Sequence, residues 1–314
     1  MPTVLITGGS GLIGKNLTRH LITKGYEVII LSRKPQTDIQ NPQISHAVWD
    51  IGKQQIDLTA VAKADYIVHL AGAGVMDKRW TKKYREQIVE SRTKSSQLLI
   101  KALQENTNKV KTVVSASAIG WYGQNPSGSL SKAPEFTESD EANTGFLGNT
   151  ARLWEKSVEP VASMGKRVVK LRLGIVLSND GGAFVEFKKP IRFGIAGILG
   201  NGKQIISWIH IDDICRMFIY AIENENLSGS YNAVSPEPVS NKELIIRTAE
   251  LLRNKFYIPV YVPTFFLKLI LGERSIEVLK SATVSCEKIK SEGFTFLYPS
   301  IDAALRQLTS PLRL

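Results

Sequence analysis

Cysteine is scarce: the 314 residues hold two, Cys215 and Cys286, far apart and without a CxxC pair. That excludes a disulfide framework and a cysteine-based zinc centre, and no metal site is expected. Long apolar runs are missing as well, and none reaches the roughly 20 residues that cross a bilayer. The longest candidate, PTFFLKLIL at residues 263–271, is short, holds Lys268 and reads as a packed helix. Met1-Pro2-Thr3 runs directly into Val4-Leu5-Ile6, which gives no sign of a signal peptide. These absences point to a cytoplasmic protein with no membrane partner. Acid is in short supply too: 40 Lys and Arg face 29 Asp and Glu, a net charge of +11. Such a balance raises the question of nucleic acid. The densest basic segment, residues 78–101, interleaves Glu86 and Glu90 and carries no nucleic-acid motif. It reads as a solvated helix face, part of which can serve a phosphate-bearing small ligand, and no nucleic-acid partner is expected.

What is present is an alternation. Short apolar, β-branched runs at residues 3–7, 27–31, 66–70, 110–115 and 167–172 are separated by stretches with helical spacing, such as Ile13, Leu17, Leu21 and Ile22. Strands that are apolar throughout, with amphipathic helices between them, are buried on both faces, the mark of a parallel, doubly wound α/β sheet. Helices are expected near residues 85–105 and 149–163. Past residue 177 glycines thicken and the alternation loosens, with helices expected at 212–223, 242–253 and 264–281 and a strand at 230–234. The expected organisation is a nucleotide-binding domain over 1–177, with elements returning around 205–235, and a smaller mixed substrate-binding region over 178–314.

Between the first strand and the first helix stands TGGSGLIG, residues 7–14. Glycines between a strand and a helix are what a dinucleotide pyrophosphate requires: a tight turn at Gly8, close backbone approach at Gly11, close helix packing at Gly14. Gly9, Ser10, Leu12 and Ile13 complete the loop, and the first helix amides point at phosphate. An acid at the end of the second strand would hold a free ribose 2′-hydroxyl; here the chain reads Leu31-Ser32-Arg33-Lys34. Without the acid, and with a guanidinium able to fork onto phosphate, Ser32, Arg33 and Lys34 suit the 2′-phosphate of NADP(H). Asp50 is placed at the adenine edge. Leu70, Ala71 and Gly72 end a strand with small residues, as a passing dinucleotide needs.

With these residues in view the chain resembles the extended short-chain dehydrogenase/reductase superfamily, in an epimerase/dehydratase-like subgroup of uncertain activity. The resemblance covers nearly the whole length. It rests on Asp77-Lys78-Arg79-Trp80, Ser115-Ala116-Ser117-Ala118 with Tyr122-Gly123, and Arg152-Leu153-Trp154-Glu155. Gly200-Asn201-Gly202, residues 208–213 (WIHIDD) and Val234-Ser235-Pro236 complete it. It implies a Rossmann-type sheet, and it implies a catalytic Ser or Thr with a Tyr-x-x-x-Lys pair, since the alkoxide of hydride transfer must be protonated. Ser117 is placed at the Ser position, with Ser115 beside the cofactor. The pair should fall at Phe146 or Leu147 and Thr150 or Ala151, none of which can do its chemistry. Tyr122 is the substitute phenol that the sequence offers. Arg92 resembles the subgroup's basic residue facing the cofactor, and Trp80, Trp121, Trp208 and His210 are candidates for the substrate pocket, with a structural role for His210 as the alternative.

Two readings follow. One is an NADP(H)-dependent oxidoreductase or epimerase of a small polar substrate, with Tyr122 or water replacing the lost donor. The other is a catalytically silent NADP(H)-binding protein that reports redox state to a partner. A monomer or a homodimer is expected, the dimer from the resemblance alone.

Overall fold

Five consecutive buried side chains make β1 (Thr3–Thr7), a strand covered on both faces at the middle of the main sheet. The computed structural model describes residues 1–34, 41–125 and 135–310. From β1 the chain passes through α1 (Leu12–Thr23), β2 (Glu27–Ser32), β3 (Ile44–Asp50), the short β4 (Gln55–Ile56) and α2 (Leu58–Lys63). It continues as β5 (Tyr66–His69), α3 (Lys82–Glu105), β6 (Thr112–Ala118), α4 (Phe146–Val158) and β7 (Arg167–Leu173). Then come β8 (Ile175–Leu177), α5 (Ala183–Arg192), β9 (Ile195–Leu199), β10 (Ile205–Ile206), β11 (Trp208–His210) and α6 (Ile211–Glu223). The last part holds β12 (Gly229–Ala233), β13 (Val239–Ser240), α7 (Asn241–Arg253), β14 (Ile258–Val262), α8 (Thr264–Leu271), α9 (Ser275–Leu279), α10 (Glu287–Ser291) and α11 (Ile301–Thr309).

Eight strands form one sheet in the order β12-β7-β6-β5-β1-β2-β3-β4. Every pairing is parallel except β3 with β4. Strand alternation divides the core between the faces. Val114 packs with Leu17, Leu21 and Phe218 on the side of α1 and α6, while Val113 packs with Leu98, Leu99 and Val161 on the side of α3. The order reverses direction at β1, between β2 and β5, which is where such sheets open a crevice at the carboxyl ends of their strands. The doubly wound α/β sheet expected from the sequence is therefore present.

Two helices depart from expectation, each for a local reason. The helix expected over 149–163 starts three residues earlier, because Asn143 accepts the Gly145 N–H at 2.7 Å and turns the chain into α4. Its α-helical part stops at Val158, and Pro160 heads a 3-10 segment, Glu159–Met164. The helix expected over 264–281 breaks at Gly272, whose φ of +61° ends α8. The packed-helix reading of residues 263–271 is also corrected, since Leu267 is the only buried residue of α8. Among the described residues no helix is long and apolar enough to span a membrane.

Candidate cofactor and active site

The loop between β1 and α1 is shaped so that side chains do not fit. Gly8 has φ +71°, and a Cβ there would lie 2.9 Å from the Leu70 carbonyl carbon and oxygen. A Cβ on Gly9 would meet Ile30 Cγ2 at 2.7 Å, and one on Gly14 would stand 2.5 Å from the Gly8 oxygen. The Gly11 N–H donates to the Gly8 carbonyl at 3.0 Å, closing the turn. Among the described residues no side chain caps α1, so its first-turn amides are open to an anion, and the helix dipole adds to them. Across the crevice Thr7 Oγ1 accepts the N–H groups of Leu70 (3.1 Å) and Ala71 (3.2 Å), tying the end of β5 to the end of β1. These observations fit a dinucleotide pyrophosphate. When bound, a nicotinamide cofactor supplies hydride exchange, and the chain supplies the cradle.

At the end of β2 the Ser32 hydroxyl donates to the Lys34 carbonyl at 2.8 Å, while Arg33 and Lys34 are exposed. Asp50 ends β3 and accepts the Lys53 N–H at 3.1 Å. Arg92, on α3, reaches over the segment that follows β5. Its Nη1 donates to the carbonyls of Ala73 (3.0 Å) and Ile88 (2.8 Å), and its Cζ would lie 3.0 Å from a Cβ on Gly72. The guanidinium stacks 4.8 Å from the Trp154 ring centre. Burial pulls its pKa down to about 10, and among the described residues no carboxylate pairs with it. Trp154 Nε1 is also buried and has no hydrogen-bond partner among the described residues. A lone cation and an unsatisfied donor together leave room for an acceptor that a ligand brings.

The stretch that starts α4 is held by one side chain. Asn143 Nδ2 donates to the carbonyls of Gly120, Trp121 and Tyr122, locking the loop after β6 to the helix. Gly148 is required beneath it, since a Cβ there would stand 2.2 Å from the Asn143 oxygen. In this register Phe146 packs edge-on against Trp80 with ring centres 5.0 Å apart, and Leu147 lies under Gly120. The Thr150 hydroxyl donates back to the Phe146 carbonyl at 2.7 Å, and Ala151 is buried. No phenol and no ammonium stand at these positions.

Ser117 and Tyr122 are both engaged by side chains inside the protein. The Ser117 hydroxyl donates to Glu155 Oε1 at 2.7 Å and is buried. Strand alternation thus turns it toward α4, and Ala118, the next residue, takes the opposite face at the end of β6. Tyr122 is fully buried: it donates to Asn232 Oδ1 at 2.7 Å and accepts from Arg172 Nη1 at 2.9 Å. Burial pushes its phenol up to about 12. The Tyr122 hydroxyl thus both donates and accepts within the protein interior. Ser115 is likewise buried, its hydroxyl on the Ala116 carbonyl.

Two of the pocket candidates are interior residues. Trp208 is fully buried, with Nε1 donating to the Glu237 carbonyl at 2.7 Å. His210 is fully buried too; its Nδ1 accepts the Asp212 N–H and caps α6, leaving Nε2–H to donate to Gln307 Oε1 at 3.0 Å. Burial lowers its pKa, so the neutral ring is the form that caps. Trp121 is partly exposed, donates to the Asp140 carbonyl and carries the Arg172 guanidinium 3.7 Å from its ring centre. Trp80 lines an open groove of about 510 Å³ together with Arg85, Phe146 and Glu273. Sequence reasoning missed Arg85 and Glu273, an ion pair between segments 188 residues apart that no local pattern announces.

Comparison with known proteins fits this architecture. Residues 4–150 match the NAD dependent epimerase/dehydratase family, and residues 262–308 match a domain of unknown function, DUF1731. The epimerase family protein YfhF of Bacillus subtilis is 34% identical over 97% of both chains. The human epimerase family protein SDR39U1, solved with NADPH, superposes with a TM-score of 0.84 at 29% identity, covering 98% of this chain and 99% of that one. MoeE5, solved with UDP-glucuronic acid and NAD, shares the fold at 21% identity, with a TM-score of 0.77 and coverage of 98% and 97%. A full-length relative above 30% identity, the glycine cradle and the reversed strand order together place this chain in the epimerase family of extended short-chain dehydrogenases/reductases.

Proposed function

We propose that this protein is an NADP(H)-dependent oxidoreductase or epimerase of a small polar substrate, in which water rather than a side chain carries the proton. The observation that carries the cofactor assignment is the end of β2, where exposed Arg33 and Lys34 follow Ser32 and no acid is present. A carboxylate there would repel a 2′-phosphate, whereas a free guanidinium forks onto one. The NADPH bound to SDR39U1 supports the same choice. Asp50 stands at the adenine edge and residues 178–314 supply the substrate side. Ala151 and Trp154 share one face of α4, and Arg92 stacks on that face. Arg92 thereby provides, from α3, the positive charge that the missing lysine would have provided from α4. Even when lowered by burial to about 10, its pKa keeps it charged near neutral pH, so it orients and polarises but does not transfer a proton.

A second reading, cofactor binding without turnover, is favoured by one specific finding. Both hydroxyls that the sequence offered for proton transfer, on Ser117 and Tyr122, are spent inside the protein. Titration with NADPH and NADH separates the cofactor question from the turnover question. NADPH is expected to bind more tightly, and Arg33→Asp should cost about 10- to 100-fold in NADPH affinity, the value of one charge-assisted contact. Equal affinities for the two cofactors would refute the assignment. Arg92→Met is expected to weaken NADPH binding while leaving the preference over NADH unchanged. Oxidation of bound NADPH by a carbonyl compound or keto-sugar supports the first reading, and tight binding with no oxidation across a broad panel supports the second.

A further inference from the structure

An unusual amount of apolar surface is gathered in the last third of the chain. In α8 the exposed fractions are 61% for Phe265, 67% for Leu269 and 65% for Ile270. Immediately before it, β14 pairs with β9 and, among the described residues, with no other strand, and four of its five residues are exposed. The parallel register sets Ile258 beside Ile195, so these two side chains share a face, while Ala196 and Ile198 point the other way into the core. Phe193 and Phe256 continue the patch at the far end, where the Ile258 N–H meets the Gly194 carbonyl at 2.8 Å. Exposed apolar side chains along an edge strand and along the two-turn helix that follows it in the chain mark an interaction site.

Charge says what covers it. The two segments that build the patch, residues 191–203 and 251–272, contain Arg192, Lys203, Arg253, Lys255 and Lys268, while the acids that flank the second one, Glu250 and Glu273, are engaged by Tyr257 and Arg85. The C-terminal end of α8 adds to this, because Arg79 donates to the Leu269 carbonyl at 3.0 Å and brings exposed Lys78, Lys82 and Lys83 alongside. A second copy of the chain seated on this surface through a two-fold axis would bring the same cation-rich patch from both sides, Lys and Arg facing Lys and Arg with few acids between them. An anionic bilayer surface meets both properties at once, accepting exposed Phe and Leu at the acyl boundary and Lys and Arg at the headgroups. The geometry points to this face as a peripheral docking surface for anionic lipid membranes. The chain lies on the membrane through α8 and the β9–β14 edge and does not cross it. Arg274 ties the same region to the Met76 carbonyl in the segment after β5.

Sedimentation with vesicles tests this, using the full chain and two compositions: phosphatidylcholine alone, and phosphatidylcholine with phosphatidylglycerol. The chain is expected to pellet with the anionic vesicles, to remain in solution with the neutral ones, and to be released by salt. Leu269→Asp should lower the bound fraction more than about tenfold, since one buried leucine is worth more than that. Lys268→Ala should lower it about fivefold, the contribution of one basic residue at an anionic surface. Both substitutions are on exposed side chains, and an unchanged melting temperature with unchanged NADPH affinity shows that the fold survives. Absence of pelleting, or equal pelleting with neutral vesicles, overturns the proposal. So does a dimer that Leu269→Asp dissociates in a protein that ignores vesicles, which would assign the face to a second copy. Retention on nucleic acid without vesicle binding overturns it as well.

Discussion

Glu155→Ala is expected to destabilise the protein by about 3–5 kcal/mol, the cost of stranding a buried charge. Glu155 and Arg172 are 4% and 3% exposed and form a two-pronged pair, Nε to Oε1 at 2.8 Å and Nη2 to Oε2 at 3.1 Å. Burial alone would pull the guanidinium down, and the hydrogen bonds and charge of Glu155 more than reverse it. Around the pair, Ser117 and Ser230 donate to the carboxylate, while Arg172 donates onward to Tyr122. Removing the carboxylate therefore leaves a buried cation that, among the described residues, keeps a phenol oxygen, a ring face and the Glu138 carbonyl. The paired replacement Glu155→Met with Arg172→Met should recover most of the loss, because an apolar pair does not leave an uncompensated charge. Urea unfolding of the three variants checks both statements. Equal stability of Glu155→Ala and the parent would show that this network does not hold β6, β7 and α4 together.

The sheet was legible in the sequence because its signal is local. An apolar run such as Val4-Leu5-Ile6 is buried on both faces wherever it lies, and TGGSGLIG announces its own turn. The loss of the Tyr-x-x-x-Lys pair was legible for the same reason, since it depends on residue identity at positions fixed by Trp154 and Glu155. What could not be read was which way a hydroxyl points. Ser117 and Ala118 differ by one residue along β6, and the pleat sends them to opposite faces. Tyr122 is claimed by Asn232, 110 residues away, and His210 by Gln307, 97 residues away. Polar partners at such separations leave no trace in spacing. The exposure of α8 was illegible too, because TFFLKLIL reads the same whether a core or an outside surface covers it.

Gly14→Ala is expected to abolish tight cofactor binding while sparing the fold. The added methyl would stand 2.5 Å from both the Gly8 oxygen and the Gly9 Cα, closer than any Cβ contact tolerates. Neither atom belongs to a flexible side chain, so the loop itself has to move away from α1. The cost to stability is about 1–3 kcal/mol, typical of an overpacked site, and is partly offset because alanine favours a helix interior more than glycine does. The cost to binding is larger. Moving the loop takes its amides off the pyrophosphate, and at about 1.5–3 kcal/mol for each charge-assisted hydrogen bond, losing one or two lowers NADPH affinity roughly 100-fold. Gly25→Ala is the matched control, since its φ of +83° strains alanine in a similar way while nothing lies within 4 Å of the added carbon. Both variants should melt below the parent, and only Gly14→Ala should lose NADPH. If the two bound NADPH alike, the close approach of helix and loop at Gly14 would be a packing device with no part in recognition. The glycine cradle earns its functional reading from that difference, because strain at a turn is common and a turn whose strain alone decides cofactor affinity is not.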